Sequence, residues 1–456
     1  MALKMETPMM LHSCDRALEQ GFDRLKREAL RWAFEGYPVG DYYEAALPGR
    51  DAFCIRDTCH QCIGAEALGL SSANFNMMKK FARSISPNRD YCGYWEIDRY
   101  DRPCPVDYTN DGNFWYNLPA NFDLLDAFYR LYKYTGDIRY LTDPDIERFC
   151  ALTMEQYIAR WDRDGDGIPD RIPEEGRRGI ASYDEGGMSM HHMKVGGDLV
   201  CAQIKAYESD SEICRLTGRN ELAEIYHRRG EELKREFLRY WFDAEQGFAF
   251  GMGFDGQLRF DPNDPWKTKD VFYRGIATAE QARPILAEMS ARMEEPIIEL
   301  FCHLPESLWR YGMETEAQKA LRRAMDPQLY RREYPEASYS AVGAIATGLM
   351  GVEPNAALNQ VATLSGIGDI EWVALEHINV LDGHISVEHR GHEATLLTNE
   401  CAHPIVWRAR FAGEHLLQQD GREVEMHEEI MRISEQTVSY VDVSIQPKET
   451  ICVKAV

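Results

Sequence analysis

The chain has no long apolar run. No window approaches the roughly 18 continuous apolar residues of a membrane-spanning helix, which excludes that class. Its first twenty residues, MALKMETPMMLHSCDRALEQ, lack the apolar stretch and small-residue cleavage site of a signal peptide, so the expected location is cytoplasmic. Positive charge is scarce. Fifty-one Lys and Arg stand against 75 Asp and Glu, for a formal net charge of −24 and a pI near 5.0. Such a surface repels nucleic-acid phosphates and anionic lipid, and suits neutral or cationic small molecules. A disulfide framework is also missing: the 12 cysteines are scattered and read as free, mostly buried thiols in a reducing compartment. Cys54, Cys59 and Cys62 cluster, but C-x4-C-x2-C is not a standard zinc spacing and no fourth ligand stands out.

What is present is enough chain for a large core: 456 residues, 44% of them hydrophobic. Helical periodicity dominates residues 12–350. It appears at 12–35, from Asp57 or Thr58 through HQCIGAEALGL, from Ser71 to before Pro87, and from Pro119 to Gly136. It returns at 143–161, 190–217, 219–240, 279–294, 296–311, 314–325 and 337–350. These segments, about eleven in all, are joined by alternately short and long connections. Antiparallel helical hairpins with long loops gathered at one end predict a mainly α architecture, an (α/α)6 toroid. After Pro354 the texture changes to alternating apolar and polar residues, with turn signals at Asp382-Gly383, Arg390-Gly391 and Asp420-Gly421. The predicted division is a helical domain over 1–352 and a C-terminal β-sandwich over 353–456.

The stretch from Trp161 to Asp198 stands out. It opens on an acidic, glycine-rich loop and leads through SYDEGGM to a helical pattern. Long polar connections of this kind are uncommon in compact domains and often carry function. Asp162, Asp164, Asp166, the Ile168 carbonyl and Asp170 have the 1-3-5-7-9 spacing of a calcium loop, with Gly167 at the sharp turn. The twelfth position is Pro173 rather than Glu, so the alternative is an Asp/Gly turn held by its own side chains. A structural calcium ion is a possible ligand, and no other cofactor is expected. The loop 87–118 mixes Trp95, Glu96, Asp107, Asp111, Trp115 and Tyr116. Sugars bind to such mixtures, with C–H faces on aromatic rings and hydroxyls on carboxylates.

Four local patterns together resemble the six-hairpin, (α/α)6-barrel glycoside hydrolases, the group of glucoamylases, trehalases, α-L-rhamnosidases and bile-acid-type β-glucosidases. Ile55-Arg56-Asp57-Thr58 is similar to the Arg-Asp pair that holds the sugar. Asp164 to Asp170, DGDGIPD, is similar to the loop that precedes the acid. Ser182-Tyr183-Asp184 resembles the T-Y-D of the β-glucosidase branch. Tyr334-Pro335-Glu336 resembles the segment that carries the base. The resemblance spans roughly residues 50–352. It departs from the group in having no Trp before the carboxylates at 184–185 and no large N-terminal β-domain.

The resemblance implies hydrolysis of a terminal sugar from a small glycoside or oligosaccharide, with inversion. That chemistry needs two carboxyl groups flanking the scissile bond, one protonated and one ionised. Asp184 is the expected acid, with Glu185 and then Glu174 or Glu175 behind it. Glu336 is the expected base, with Glu333 behind it. Arg56 and Asp57 would hold sugar hydroxyls. His192 or His191 would line the pocket. Two alternatives remain at this stage. A lyase or epimerase on the same toroid would depend on His192 or Tyr183 and not on Glu336. A non-catalytic carbohydrate-binding toroid would face no carboxylate pair across its mouth.

Overall fold

A computed structural model describes residues 6–172, 177–186 and 192–456. Glu174, Glu175 and His191 lie outside the described residues. The principal helices are α1 (Arg16–Arg31), α2 (Ile55–Ala67), α3 (Ser71–Ser84), α4 (Ala120–Thr135), α5 (Pro144–Leu152), α6 (Gly197–Leu216) and α7 (Asn220–Tyr240). They continue with α8 (Lys269–Tyr273), α9 (Ala279–Ala291), α10 (Leu304–Arg310), α11 (Glu314–Ala324) and α12 (Pro335–Ala344). None of the described helices is long and apolar enough to cross a membrane.

Burial divides the helices into two sets. On α2, α4, α6 and α12 almost every residue is buried, polar ones included. On α1, α7 and α11 a narrow apolar stripe is buried and the rest is charged. The first pattern belongs to helices surrounded by protein, the second to helices with one face in water. Packing follows the division. α2 lies against α4 and α12, α4 against α6, α6 against α8, α8 against α10, and α10 against α12. The charged helices cover this set from outside: α1 on α12, α3 on α2, α7 on α6 and α11 on α10.

Local chemistry sets several boundaries. Asp15 caps α1 by accepting from the N–H groups of Ala17 and Leu18. Asp143 caps α5, where Pro144 takes the first turn. Gly136 ends α4 in the left-handed region at φ 79°. Other boundaries differ from the sequence reading. The pattern from 190 is a strand at Met193–Gly196, and the helix starts only at Gly197. The loop 87–118 contains strands at Glu96–Asp98 and Asn113–Asn117. The segment 143–161 is helical with a π turn at Thr153–Tyr157.

Beyond Pro354 the chain forms two sheets. One runs in the order Glu353–Asn355, Gln360–Leu364, Ile405–Ala412, Thr437–Ile445, His427–Ile430, with a parallel pair between its second and third strands. The other has seven strands, and its edge is supplied by Met10–Ser13 from the start of the chain, antiparallel to Trp372–Val380. Alternate residues are buried along Ile405–Ala412, the period of a strand with one face in a core. Trp407 is fully buried there and donates to Thr363 Oγ1 at 2.9 Å.

Candidate active site

The N-termini of α2 and α12 bring the first groups together. Asp57 and His60 lie one turn apart on α2, so they share a face. Glu336 sits in the first turn of α12, behind Pro335. His60 Nδ1 lies 3.0 Å from Glu336 Oε1, and His303 Nε2 lies 2.8 Å from the same oxygen. Glu336 Oε2 makes no hydrogen bond to a described residue. Burial opposes ionisation of Glu336, but the hydrogen bonds from His303 and His60 outweigh it and hold the carboxyl well below its usual range.

A second layer stands behind His60. Its Nε2 faces Asp123 Oδ2 at 3.5 Å. Arg274 grips both oxygens of Asp123, and the Tyr183 hydroxyl donates to Oδ2. Asp123 is buried, yet Arg274 and His60 depress its pKa. Burial lowers the pKa of His60 too, but Asp123 and Glu336 together raise it.

Asp57 accepts from Arg56 Nε at 2.8 Å and from the Tyr334 hydroxyl at 2.5 Å. Burial raises its pKa, Arg56 lowers it and the charge of Glu336 raises it again; the net direction is upward. The Arg56 guanidinium lies 5.8 Å from the Trp95 ring and 5.5 Å from the Tyr183 ring, so two aromatic faces orient it. Glu96 pairs with Arg50 at 2.8 Å. Burial, then the neighbouring Asp107, push Glu96 up to about 8 against the pull of Arg50. Asp198, below the 182–184 segment, accepts from Tyr183 N and Ser182 Oγ. Burial and the charge of Asp270 push it up to about 7.

Asp57, His60, Glu336, Arg56, Glu96, Tyr183 and Asp198 open onto one cleft of about 470 Å³, with His303, Asp123 and Arg274 behind them. Of the residues singled out in the sequence, Arg56, Asp57, Trp95, Glu96, Asp184, Glu185 and Glu336 line it. Asp184 is half-buried and accepts from Gly186 N, and Glu185 is exposed at the mouth. The others stand elsewhere. Asp107 and Trp115 line a small cavity behind Glu96. Asp111 holds Arg89 and the Tyr108 hydroxyl. Tyr116 is buried against Trp161 and donates to the Ile172 carbonyl. His192 is exposed in a turn and does not line the cleft. Glu333 does not line it either.

The acidic loop is also away from the cleft. Asp162, Asp164 and Asp166 each bring a carboxylate oxygen within 4.8 Å of the others. Asp162 accepts from Gly165 N and Gly167 N, Asp166 from Ile168 N, and Asp170 from Arg163 N. The ammonium of Lys194 lies 2.5 Å from Asp164 and 3.1 Å from Asp170.

A cleft walled by buried helices, with two sheets following in the chain, defines a fold class first: that of the rhamnosidase-type structures. No family model matches the chain, and no curated protein matches it by sequence. Solved structures do match in fold. The α-L-rhamnosidase from Dictyoglumus thermophilum aligns at a TM-score of 0.64 and 11% identity, over 98% of this chain and 50% of that one. The α-L-rhamnosidase from Aspergillus terreus aligns at 0.60 and 13% identity, over 98% and 51%. The GH78 family rhamnosidase of Bacillus sp. GL1 aligns at 0.60 and 12% identity, over 87% and 40%. The chain thus spans about half the length of these proteins or less.

Proposed function

We propose that the protein is a glycoside hydrolase that removes a terminal sugar from a small glycoside or oligosaccharide, and that the circuit of buried helices is the inner ring of an (α/α)6 toroid. The observation that carries the reading is the floor of the cleft. There Glu336 is ionised, clamped through Oε1 by two histidines and left with Oε2 for a water. Asp57 and Arg56 stand beside it to hold sugar hydroxyls, and Trp95 offers a flat apolar face. The fold shared with rhamnosidases supports the same reading.

In this mechanism Glu336 Oε2 takes the proton of the water that attacks the anomeric carbon. Asp184, which lines the same cleft, gives its proton to the departing oxygen. The configuration at the anomeric carbon inverts. Glu96, when protonated, donates a hydrogen bond to the sugar and stands as the rival acid. The lyase or epimerase alternative draws on no feature of the site: the Tyr183 hydroxyl is engaged by Asp123, and His192 is outside the cleft.

The test is a panel of aryl glycosides, α-L-rhamnosides first, with the wild type and Asp184→Asn, Glu96→Gln and Glu336→Gln. Removing a general base or acid costs on the order of 10²–10⁴-fold in kcat. That loss is expected for Glu336→Gln, with azide restoring turnover. For Asp184→Asn it is expected to vanish with a leaving group that needs no proton. Hydrolysis that survives both Asp184→Asn and Glu336→Gln would overturn the reading. Wild-type activity is expected to fall as pH rises through about 8, where Glu96 loses its proton. Glu96→Gln, which keeps a donor, is expected to move that limb upward.

Calcium remains part of the proposal as a ligand of the 162–170 loop. It would bind Asp162, Asp164 and Asp166 and displace Lys194 from Asp164. Calcium is expected to raise the melting temperature of Lys194→Met more than that of the wild type. Equal responses would exclude that site.

A further inference from the structure

We propose that His60, His303 and Glu336 also form a binding site for a divalent transition-metal ion, zinc above all, at the floor of the cleft. One donor atom from each residue lies within 4.8 Å of the other two. Both imidazole nitrogens already converge on Glu336 Oε1, at 3.0 and 2.8 Å. Zinc takes imidazole nitrogen and carboxylate oxygen at about 2.0–2.2 Å, which places such donors roughly 3.3 Å apart in a tetrahedron. Each nitrogen–oxygen pair needs to open by only a few tenths of an ångström.

Three further observations fit an ion. The donor set is two imidazoles and one carboxylate, the set that holds catalytic zinc with its fourth position open. Here His60 and Glu336 face the cleft, so a water has access to that position. The side chains of His60, His303 and Glu336 are only 4%, 8% and 6% exposed, so their positions are fixed before any ion arrives. Behind His60 stands a carboxylate, Asp123, itself held by Arg274 and Tyr183. A metal-bound histidine is ordinarily oriented by such a partner.

The ion and the proposed chemistry compete for one carboxylate. An ion on Glu336 Oε1 draws charge from the carboxylate and weakens Oε2 as the acceptor of a proton from water. Inhibition of hydrolysis by zinc therefore rests on Glu336 being the base, whereas binding rests on geometry alone.

The experiment uses the full chain after treatment with a chelator. Zinc uptake is measured by equilibrium dialysis, and cobalt by its visible absorption. We expect one zinc per chain at this site, bound at least tenfold more weakly by His303→Ala and by Glu336→Gln, with Asp164→Asn unchanged. Cobalt should show the bands of a nitrogen and oxygen set without a thiolate charge-transfer band, which separates this site from Cys302 next to His303. Circular dichroism checks that each variant folds, and His303→Asn replaces His303→Ala if the latter does not. No uptake at millimolar zinc would overturn the proposal, as would uptake that both substitutions leave unchanged or a cobalt spectrum with a thiolate band. Uptake without loss of hydrolysis would support the metal site and overturn Glu336 as base.

Discussion

Asp210 shows, at the scale of one residue, what burial does to a carboxyl group far from the cleft. It lies on α6, its Oδ1 has no hydrogen-bond partner, and burial pushes it up to about 7. Its folded pKa is above the ordinary carboxylate value, so the folded state holds a proton that the unfolded state has released. The stability this proton provides is full below about pH 4 and is lost as pH rises to about 7. Asp210→Asn removes the cost of ionisation. Its melting temperature is expected to gain on the wild type between pH 4 and 7 and to keep a constant lead above. A lead independent of pH would refute the assignment. The same scale shows which cleft-lining residues the sequence made legible. Arg56, Asp57, Asp184 and Glu336 sit in short patterns with recognisable chemistry, and His60 lies one helical turn from Asp57, a signal that was available and unused. Asp123 and Arg274 gave none. They are 151 positions apart, and only the packing of α4 near α8 joins them. Tyr116 and Asp111 were misleading because aromatic and acidic residues in a loop look alike whether they meet a ligand or one another.

At the scale of elements, the cleft depends on how closely α2 and α12 approach. Gly64 makes that approach possible: a Cβ there would overlap the carbonyl of Tyr339, a backbone group that cannot step aside. Gly343 faces it from α12, but a Cβ at that position would meet Gly64 N at 3.4 Å, an ordinary contact. Gly64→Ala is therefore expected to cost about 1–3 kcal/mol or more, as overpacking of a tight core does. It should also reduce turnover, because α2 carries Asp57 and His60 while α12 carries Glu336. Gly343→Ala is expected to change melting temperature and turnover little. Equal effects of the two substitutions would mean that the helices are not held at this distance by Gly64. Helices of this length were legible because apolar residues recur at helical spacing between charged ones, and Gly136 marks the end of α4; the caps Asp15 and Asp143 were not read from the sequence. The strand at Met193–Gly196 was not. Four residues leave no period to read, and what makes it a strand is its pairing with Gly251–Gly253, more than fifty positions onward.

The whole molecule is tied together across its length. Met10–Ser13 forms the edge of the seven-stranded sheet, with Leu11 opposite Leu375 and Ser13 opposite Val373. The same segment runs into α1, and the Lys26 ammonium on α1 donates to the Met9 carbonyl at 2.8 Å. Farther round, Asn379 donates to the Glu66 carbonyl at the end of α2, Leu381 N to the Tyr134 carbonyl on α4, and Arg283 on α9 to the Ser434 carbonyl. Alternating apolar residues after Pro354 made the sheets legible, but not this edge strand, because four residues near the start carry no pattern that names a partner more than 350 positions away. Ties of this kind couple the unfolding of helices and sheets. We expect one cooperative thermal transition in the wild type, with the calorimetric enthalpy equal to the van't Hoff enthalpy. Deleting residues 1–14 should uncover the edge of Trp372–Val380, whose unpaired N–H and C=O groups then template association between chains. The truncated protein is expected to melt at lower temperature and to aggregate as it does so, although its cleft residues are all retained. A wild type that unfolds in two separated steps, with the second unchanged by the truncation, would show instead that the sheets stand on their own and that the strand Met10–Ser13 only rests on them.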